Sequence, residues 1–146
     1  MNLENLLGIS LEEIIADKVR IKRLIEAAER NIADSHVTEI SAENRFDAAY
    51  KAIIQLSNAA LQANGYRTLT SKPGHHMTLI QTLKQTVNLD IQTIIVLDAL
   101  RKQRNVADYS GDMVPDIAVS ECVTQAENLL RLVKQWLEGN RAKLLD

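Results

Sequence analysis

Between Ser41 and Gly65 the chain runs without a glycine or proline, and its apolar residues return every three to four positions: Phe46, Ala49, Tyr50, Ile53, Leu56, Ala60 and Leu61. That spacing lines one face of a helix of about six turns. A helix this long and amphipathic must bury its stripe against other elements. Ser41 is placed to cap its start, and Asn64-Gly65 supplies a left-handed stop. The rest of the chain is equally poor in punctuation, with five glycines and two prolines in 146 residues. A sandwich or barrel needs many more turns than that. The expected fold class is therefore all-α: an antiparallel up-and-down bundle of four to five helices joined by short loops. No repeat, low-complexity tract or long linker divides the chain, so residues 1–146 read as one domain.

Upstream, Ser10-Leu11-Glu12-Glu13 has the form of a capping box and predicts a helix start there. Ile14, Ile21, Ile25, Ala28 and Ile32 follow at helical spacing as far as Ser35, and Asp17 offers a second start within the stretch. His36 to Ile40 and Tyr66 to Lys72 read as loops. Pro73 suits a first helical turn, after which His76, Ile80, Leu83 and Val87 share a face. Asn88 to Asp90 interrupts the chain. The next helix, from about Ile91 to Asp108, is apolar nearly all round in its first half, which predicts the centre of the bundle for it. Gly111 and Pro115 punctuate the following connection. The last helix carries Val119, Cys122, Val123, Ala126, Leu129, Leu130, Val133, Trp136 and Leu137 on one stripe, with Glu127 and Arg131 as an outer i,i+4 pair.

Several function classes lose their footing on composition. Seventeen Lys and Arg against nineteen Asp and Glu leave a net charge of -2, so no global positive field recruits nucleic acid. Aromatic residues are 3% of the chain, thin for a base-stacking platform. Any contact with RNA or DNA has to be local. Cys122 is the single cysteine, which rules out an intrachain disulfide or a cysteine-rich zinc site; its place on the apolar stripe makes it a packed small hydrophobe. The N-terminus lacks the basic-then-apolar order of a signal peptide, and the apolar run Ile94-Ile95-Val96-Leu97 stops at Asp98. No membrane association is expected, and a reducing, cytoplasmic location is.

Chemistry concentrates at the end of the fourth predicted helix. At about 100° per residue, Asp98, Arg101, Arg104, Asn105 and Asp108 fall within roughly a 120° arc. The same arc carries Ile91, Ile94 and Leu97 one or two turns earlier. A face that turns from apolar to ionic suggests a buried helix emerging into a cleft or a subunit seam. Two guanidiniums there can grip a phosphate bidentately, with the carboxylates orienting them. Ordinary ion pairs, Asp98–Arg101 at i,i+3 and Arg104–Asp108 at i,i+4, account for the same spacing.

His75 and His76 open the third predicted helix behind Gly74. They suit a phosphate contact, with helix amides assisting, or an acid/base role. His76 also continues the Ile80/Leu83 stripe, as a packed, hydrogen-bonded histidine would. Adjacent helical residues point apart, so no shared metal is expected, and no cofactor either. His36 sits in a loop with nothing nearby to give it a task. Lys18, Arg20, Lys22 and Arg23 alternate with Val19 and Ile21, as on a solvated helix face. No Gly-rich phosphate loop, zinc motif or nucleophile elbow is present.

Four stretches together carry a family likeness: Asn44-Arg45-Phe46-Asp47-Ala48-Ala49-Tyr50, Ala63-Asn64-Gly65-Tyr66-Arg67, Pro73-Gly74-His75-His76, and Leu97-Asp98-Ala99-Leu100-Arg101-Lys102-Gln103-Arg104-Asn105-Val106-Ala107-Asp108-Tyr109. From about Arg20 to Leu137 the chain resembles the HEPN superfamily, small prokaryotic helical domains often paired with nucleotidyltransferases or found in toxin–antitoxin and defence loci. It looks closest to short stand-alone members. In ribonuclease members an Arg, usually followed by a polar residue, precedes a His by four to six intervening residues, and two copies facing each other across a dimer cleave RNA without metal. Arg104-Asn105 matches the first half of that motif. Ala107-Asp108-Tyr109 stands where the His belongs, and no histidine follows His76.

The resemblance implies a phosphate-binding role for Arg104 and a homodimer, and it carries over no general base. The expected function is a HEPN-like RNA- or nucleotide-binding module of a toxin–antitoxin or defence system, with weak or no catalysis and with an antitoxin or nucleotidyltransferase as partner. Its ligand set is Arg101, Arg104, Asn105 and His75, supported by Asp98 and Tyr109. An alternative is a metal-independent endoribonuclease toxin, in which Arg104 acts with Asp108 or His76 as the catalytic groups. A third reading is a helical adaptor whose polar seam only fixes dimer geometry.

Overall fold

The computed structural model describes residues 2–71, 74–111 and 113–144, with the backbone alone for 108–110. Its framework is a pair of long antiparallel helices, α1 (Lys18–Ser35) and α2 (Ala42–Ala63), with the C-terminal helix α6 (Asp116–Asn140) packed against α2. Ile21, Ile25, Ala28 and Ile32 of α1 are buried, as the spacing predicts. On α2 the predicted stripe is buried throughout, and Ala52, Ala59 and Ala63 are buried beside it. These alanines have little side chain to hold neighbours away, so α2 is covered on most of its circumference. α6 contributes Val119, Cys122, Val123, Ala126, Leu129, Val133 and Leu137 to the same core.

The remaining helices flank this framework. α3 (His75–Gln81) and α4 (Leu83–Val87) are one predicted helix broken at buried Thr82, whose hydroxyl donates to the Leu79 carbonyl at 3.1 Å. With that pair counted as one broken helix, the described residues form a five-helix, all-α architecture. Asn88, at φ 57°, ends α4, and the Asp90 carboxylate caps α5 (Ile91–Ser110) through the Thr93 amide and hydroxyl. Pro73 and its place in a first helical turn lie outside the described residues.

Several expectations are corrected. The helix predicted from Ser10-Leu11-Glu12-Glu13 does not start there: Leu11–Glu13 is a strand, β1, paired antiparallel with β2 (Tyr66–Thr68) in the register Leu11↔Thr68. The sheet satisfies the backbone groups that the capping box would have served, and Leu11 is buried with Leu3, Leu61 and Leu79 in a satellite cluster. Asp17 is the true cap, its carboxylate accepting from the Val19 amide at 2.9 Å. For the same reason the loop predicted from Tyr66 to Lys72 begins as a strand. Gly65, at φ +89°, makes the turn between α2 and β2 and accepts from the Ile14 amide at 2.9 Å.

The second correction is larger. α5 does not occupy the centre of the bundle; α2 does. Of the apolar residues on α5, Leu97 and Leu100 are buried, whereas Ile91, Ile95 and Val106 are exposed. All-round apolarity over a few turns does not say which face is covered. Third, Arg131 donates to Asn128 and not to Glu127, and Glu127 lies 3.5 Å from His36 Nε2, which gives that loop histidine a partner. Among the described residues no helix is long and apolar enough to cross a membrane.

Candidate functional site

The second half of α5 faces α2 and the start of α3, and this junction gathers most of the chemistry-bearing residues. Helical spacing puts Asp47, Tyr50 and Lys51 on one side of α2, at i, i+3 and i+4. It likewise aligns Asp98, Arg101 and Arg104 on α5. Arg101 Nε donates to Asp98 Oδ1 at 2.8 Å, and Lys102 Nζ lies 3.3 Å from Asp98 Oδ2. The side chains of Arg101 and Asp98 are only 16% and 22% exposed, so water screens their pair weakly. The i,i+3 pair read from the sequence is therefore present.

Arg104 reaches across to α2. Its Nε lies 3.5 Å from Asp47 Oδ1, and its guanidinium carbon sits 5.4 Å from the centre of the Tyr50 ring. The second distance is within cation–π range. Asp47 is shared, since its other oxygen lies 3.3 Å from Lys51 Nζ. The expected partner of Arg104, Asp108, has a side chain outside the described residues, as has Tyr109. Asn105 is half-buried on the same helix.

From α3, His76 enters the cluster. Its Nδ1 is 3.2 Å from the Tyr50 hydroxyl, and the two rings are tilted by 54° with centres 5.9 Å apart. His75 meets the His76 ring edge to face at 4.9 Å, so the two imidazoles converge where helical geometry predicts divergence. Among the described residues no three His, Cys, Asp or Glu side chains group to hold a metal ion.

The electrostatics follow from this packing. Burial pushes the Tyr50 phenol up to about 12, against the opposing pull of Arg104 and Arg101, so it stays protonated. Burial also holds His76 below its ordinary 6.5, and its electrostatic interactions with His75, Arg104 and Arg101 act in the same direction. His76 is therefore a neutral imidazole at pH 7. Burial works against an ionised Asp98, but the Arg101 hydrogen bond and charge, then Lys102, hold its carboxyl below the usual value. The site thus combines two guanidiniums on one helix, a neutral imidazole and a protonated phenol. Such a set can bind an anion through charge-assisted hydrogen bonds.

Sequence reasoning brought forward Asp98, Arg101 and Arg104 as one helix face and His75 and His76 as a second group, and the fold brings the two groups to one junction. It missed Tyr50 and Asp47 as site residues. The available signal was the Tyr50 hydroxyl on an otherwise apolar stripe, since a buried phenol needs a partner. Elsewhere, Lys18, Arg20 and Arg23 lie on the exposed face of α1, as on a solvated helix. Cys122 is buried, its Sγ 3.8 Å from the Phe46 carbonyl, and burial pushes the thiol up to about 12. It is a packing residue. No protein-family model matches the chain, and no curated protein matches it in sequence.

Proposed function

We propose that the chain is a HEPN-like RNA- or nucleotide-binding module of a cytoplasmic toxin–antitoxin or defence system, acting as a homodimer with weak or no catalysis of its own. The observation that carries this reading is the convergence of Arg101, Arg104 and His76 at one helix junction, with Arg104 stacked over Tyr50. Guanidiniums backed by carboxylates and an aromatic face are suited to a phosphate group. Ile91, Ile95 and Val106, exposed along the same helix, support a second copy as cover. An antitoxin or nucleotidyltransferase is the partner that the resemblance implies.

One observation favours the alternative of a metal-independent endoribonuclease: His76 brings to the neighbourhood of Arg104 an imidazole that the chain lacks after that position. Integrity of total RNA in cells expressing the protein separates the two readings. Binding itself is tested with labelled single-stranded oligouridylate and with ATP, on wild type, Arg104→Ala and Arg104→Lys, with melting temperatures measured alongside. Arg104→Ala is expected to abolish binding and leave the fold largely intact; lysine keeps the charge, loses the fork and binds weakly. Unchanged binding with a large fall in melting temperature would make the junction structural and sink the proposal.

A further inference from the structure

We infer that His76 serves the arginine junction as a neutral Nε2–H donor to a phosphate oxygen, and not as a base, with Tyr50 as the positioning residue that fixes this tautomer. The inference rests on the ligand-binding reading above and deepens it by assigning the direction of one hydrogen bond.

Tyr50 is buried, and its hydroxyl has a single partner among the described residues, His76 Nδ1 at 3.2 Å. A buried phenolic proton needs an acceptor, because leaving it unpaired costs the full desolvation of the group. The lone pair of Nδ1 is the acceptor at hand, so the phenol donates to it. Such a lone pair exists only where Nδ1 carries no proton. A neutral imidazole has one N–H, which this bond assigns to Nε2.

The groups around the ring keep it in that state. His75 approaches from α3, Tyr50 from α2, and Arg101 and Arg104 from α5; none of the four is anionic at neutral pH. A second proton on His76 is therefore disfavoured. Nε2 has no hydrogen-bond partner among the described residues, and the ring is partly exposed, so the N–H is available to an incoming ligand. A ligand phosphate then meets guanidiniums from one helix and an uncharged donor from another. A base at Nε2 would need the opposite tautomer, with Nδ1–H pointing at a phenol whose own proton would have nowhere to go.

The tautomer is read directly in the free, full-length protein by long-range proton–nitrogen correlation with nitrogen-15 histidine, His76 being assigned by substitution. The expected spectrum shows a bare Nδ1 and a protonated Nε2, and Tyr50→Phe converts this to a mixture. In oligouridylate titrations Tyr50→Phe weakens binding, and His76→Ala weakens it about tenfold, the size of one lost hydrogen bond. His76→Gln recovers most of that loss, because its amide N–H reaches the position of Nε2. A proton on Nδ1 in the wild type overturns the inference while leaving the binding proposal standing, and so does a His76→Gln variant that binds as poorly as His76→Ala. If the tautomer is as expected and the wild type binds neither oligouridylate nor ATP, the proposed function fails and the donor role fails with it.

Discussion

α2 and α5 are of similar length, 22 and 20 residues, and both carry apolar side chains on more than one face, yet their surroundings differ. α2 is enclosed by α1, α6 and the flanking helices, and nearly every position facing them is Ala, Leu, Ile or an aromatic residue. α5 lies against the bundle on one side, with Leu97 and Leu100 buried and Ile91 and Ile95 open to solvent. Charged residues facing inward are affordable only on the second kind of helix. At a half-covered junction the Arg101 and Asp98 heads keep part of their hydration while still pairing, whereas the same groups midway along α2 would be stripped of it. The junction is polar because its helix is peripheral.

The comparison breaks most visibly under side-chain truncation. Ile53→Ala on α2 is expected to cost about 2–5 kcal/mol of unfolding free energy, as deletions in a closed core do. Ile95→Ala, at 57% exposure on α5 of the single chain, is expected to change it by no more than about 0.5 kcal/mol at dilutions where the proposed second copy has dissociated. Denaturant unfolding of both variants measures the contrast, and equal losses would mean that α5 is enclosed after all.

A second contrast lies within the junction. Arg101→Ala leaves the poorly exposed Asp98 without its closest partner, at about 1–3 kcal/mol. Lys102→Ala removes a partner that is itself 69% exposed, and the expected loss is about 0.5 kcal/mol or less. Denaturant midpoints that place Lys102 above Arg101 would put the weight of the pair on the solvent side.

Acid supplies the third and finest test. His76 is held below 6.5 in the folded chain, so as pH falls through 6.5 the unfolded chain takes a proton that the folded chain refuses. Stability therefore declines from that point and levels off once folded His76 protonates. Asp98, held below its ordinary 3.8, adds a separate loss only at more acid pH, when its carboxylate is finally neutralised. Melting curves of wild type and His76→Gln check the first step, which the variant should lack. A wild type that gains stability on acidification through 6.5 would contradict the position of His76 against its cationic neighbours.

Elements whose cause is local were readable from the chain. The α2 stripe, the Ser41 cap, the Asn64-Gly65 stop and the Asn88 break all depend on residues within a few positions of each other. β1 was not readable, because what makes Leu11–Glu13 a strand is β2, a segment far along the chain, and the capping box at Ser10 is a local signal that the pairing overrides. The peripheral place of α5 escaped for a related reason: exposure depends on what else competes for the centre, and the alanine-rich α2 wins that competition. At the junction, Asp98–Arg101 lies within one turn and was visible. Arg104–Asp47 and Tyr50–His76 join different helices, and no spacing rule reaches between helices.

The short ribbon of β1 and β2 has an effect out of proportion to its three residues per strand. α1 and α2 are joined at one end by the 36–41 loop, and at the other end the ribbon ties the segment entering α1 to the segment leaving α2, through pairs such as Glu12 and Arg67, 55 positions apart. The helical hairpin is thereby a closed ring with no loose end at which to fray. Amide hydrogens in the last turn of α2, which are bonded within the helix, are therefore expected to exchange together with those of the ribbon, as one cooperative unit.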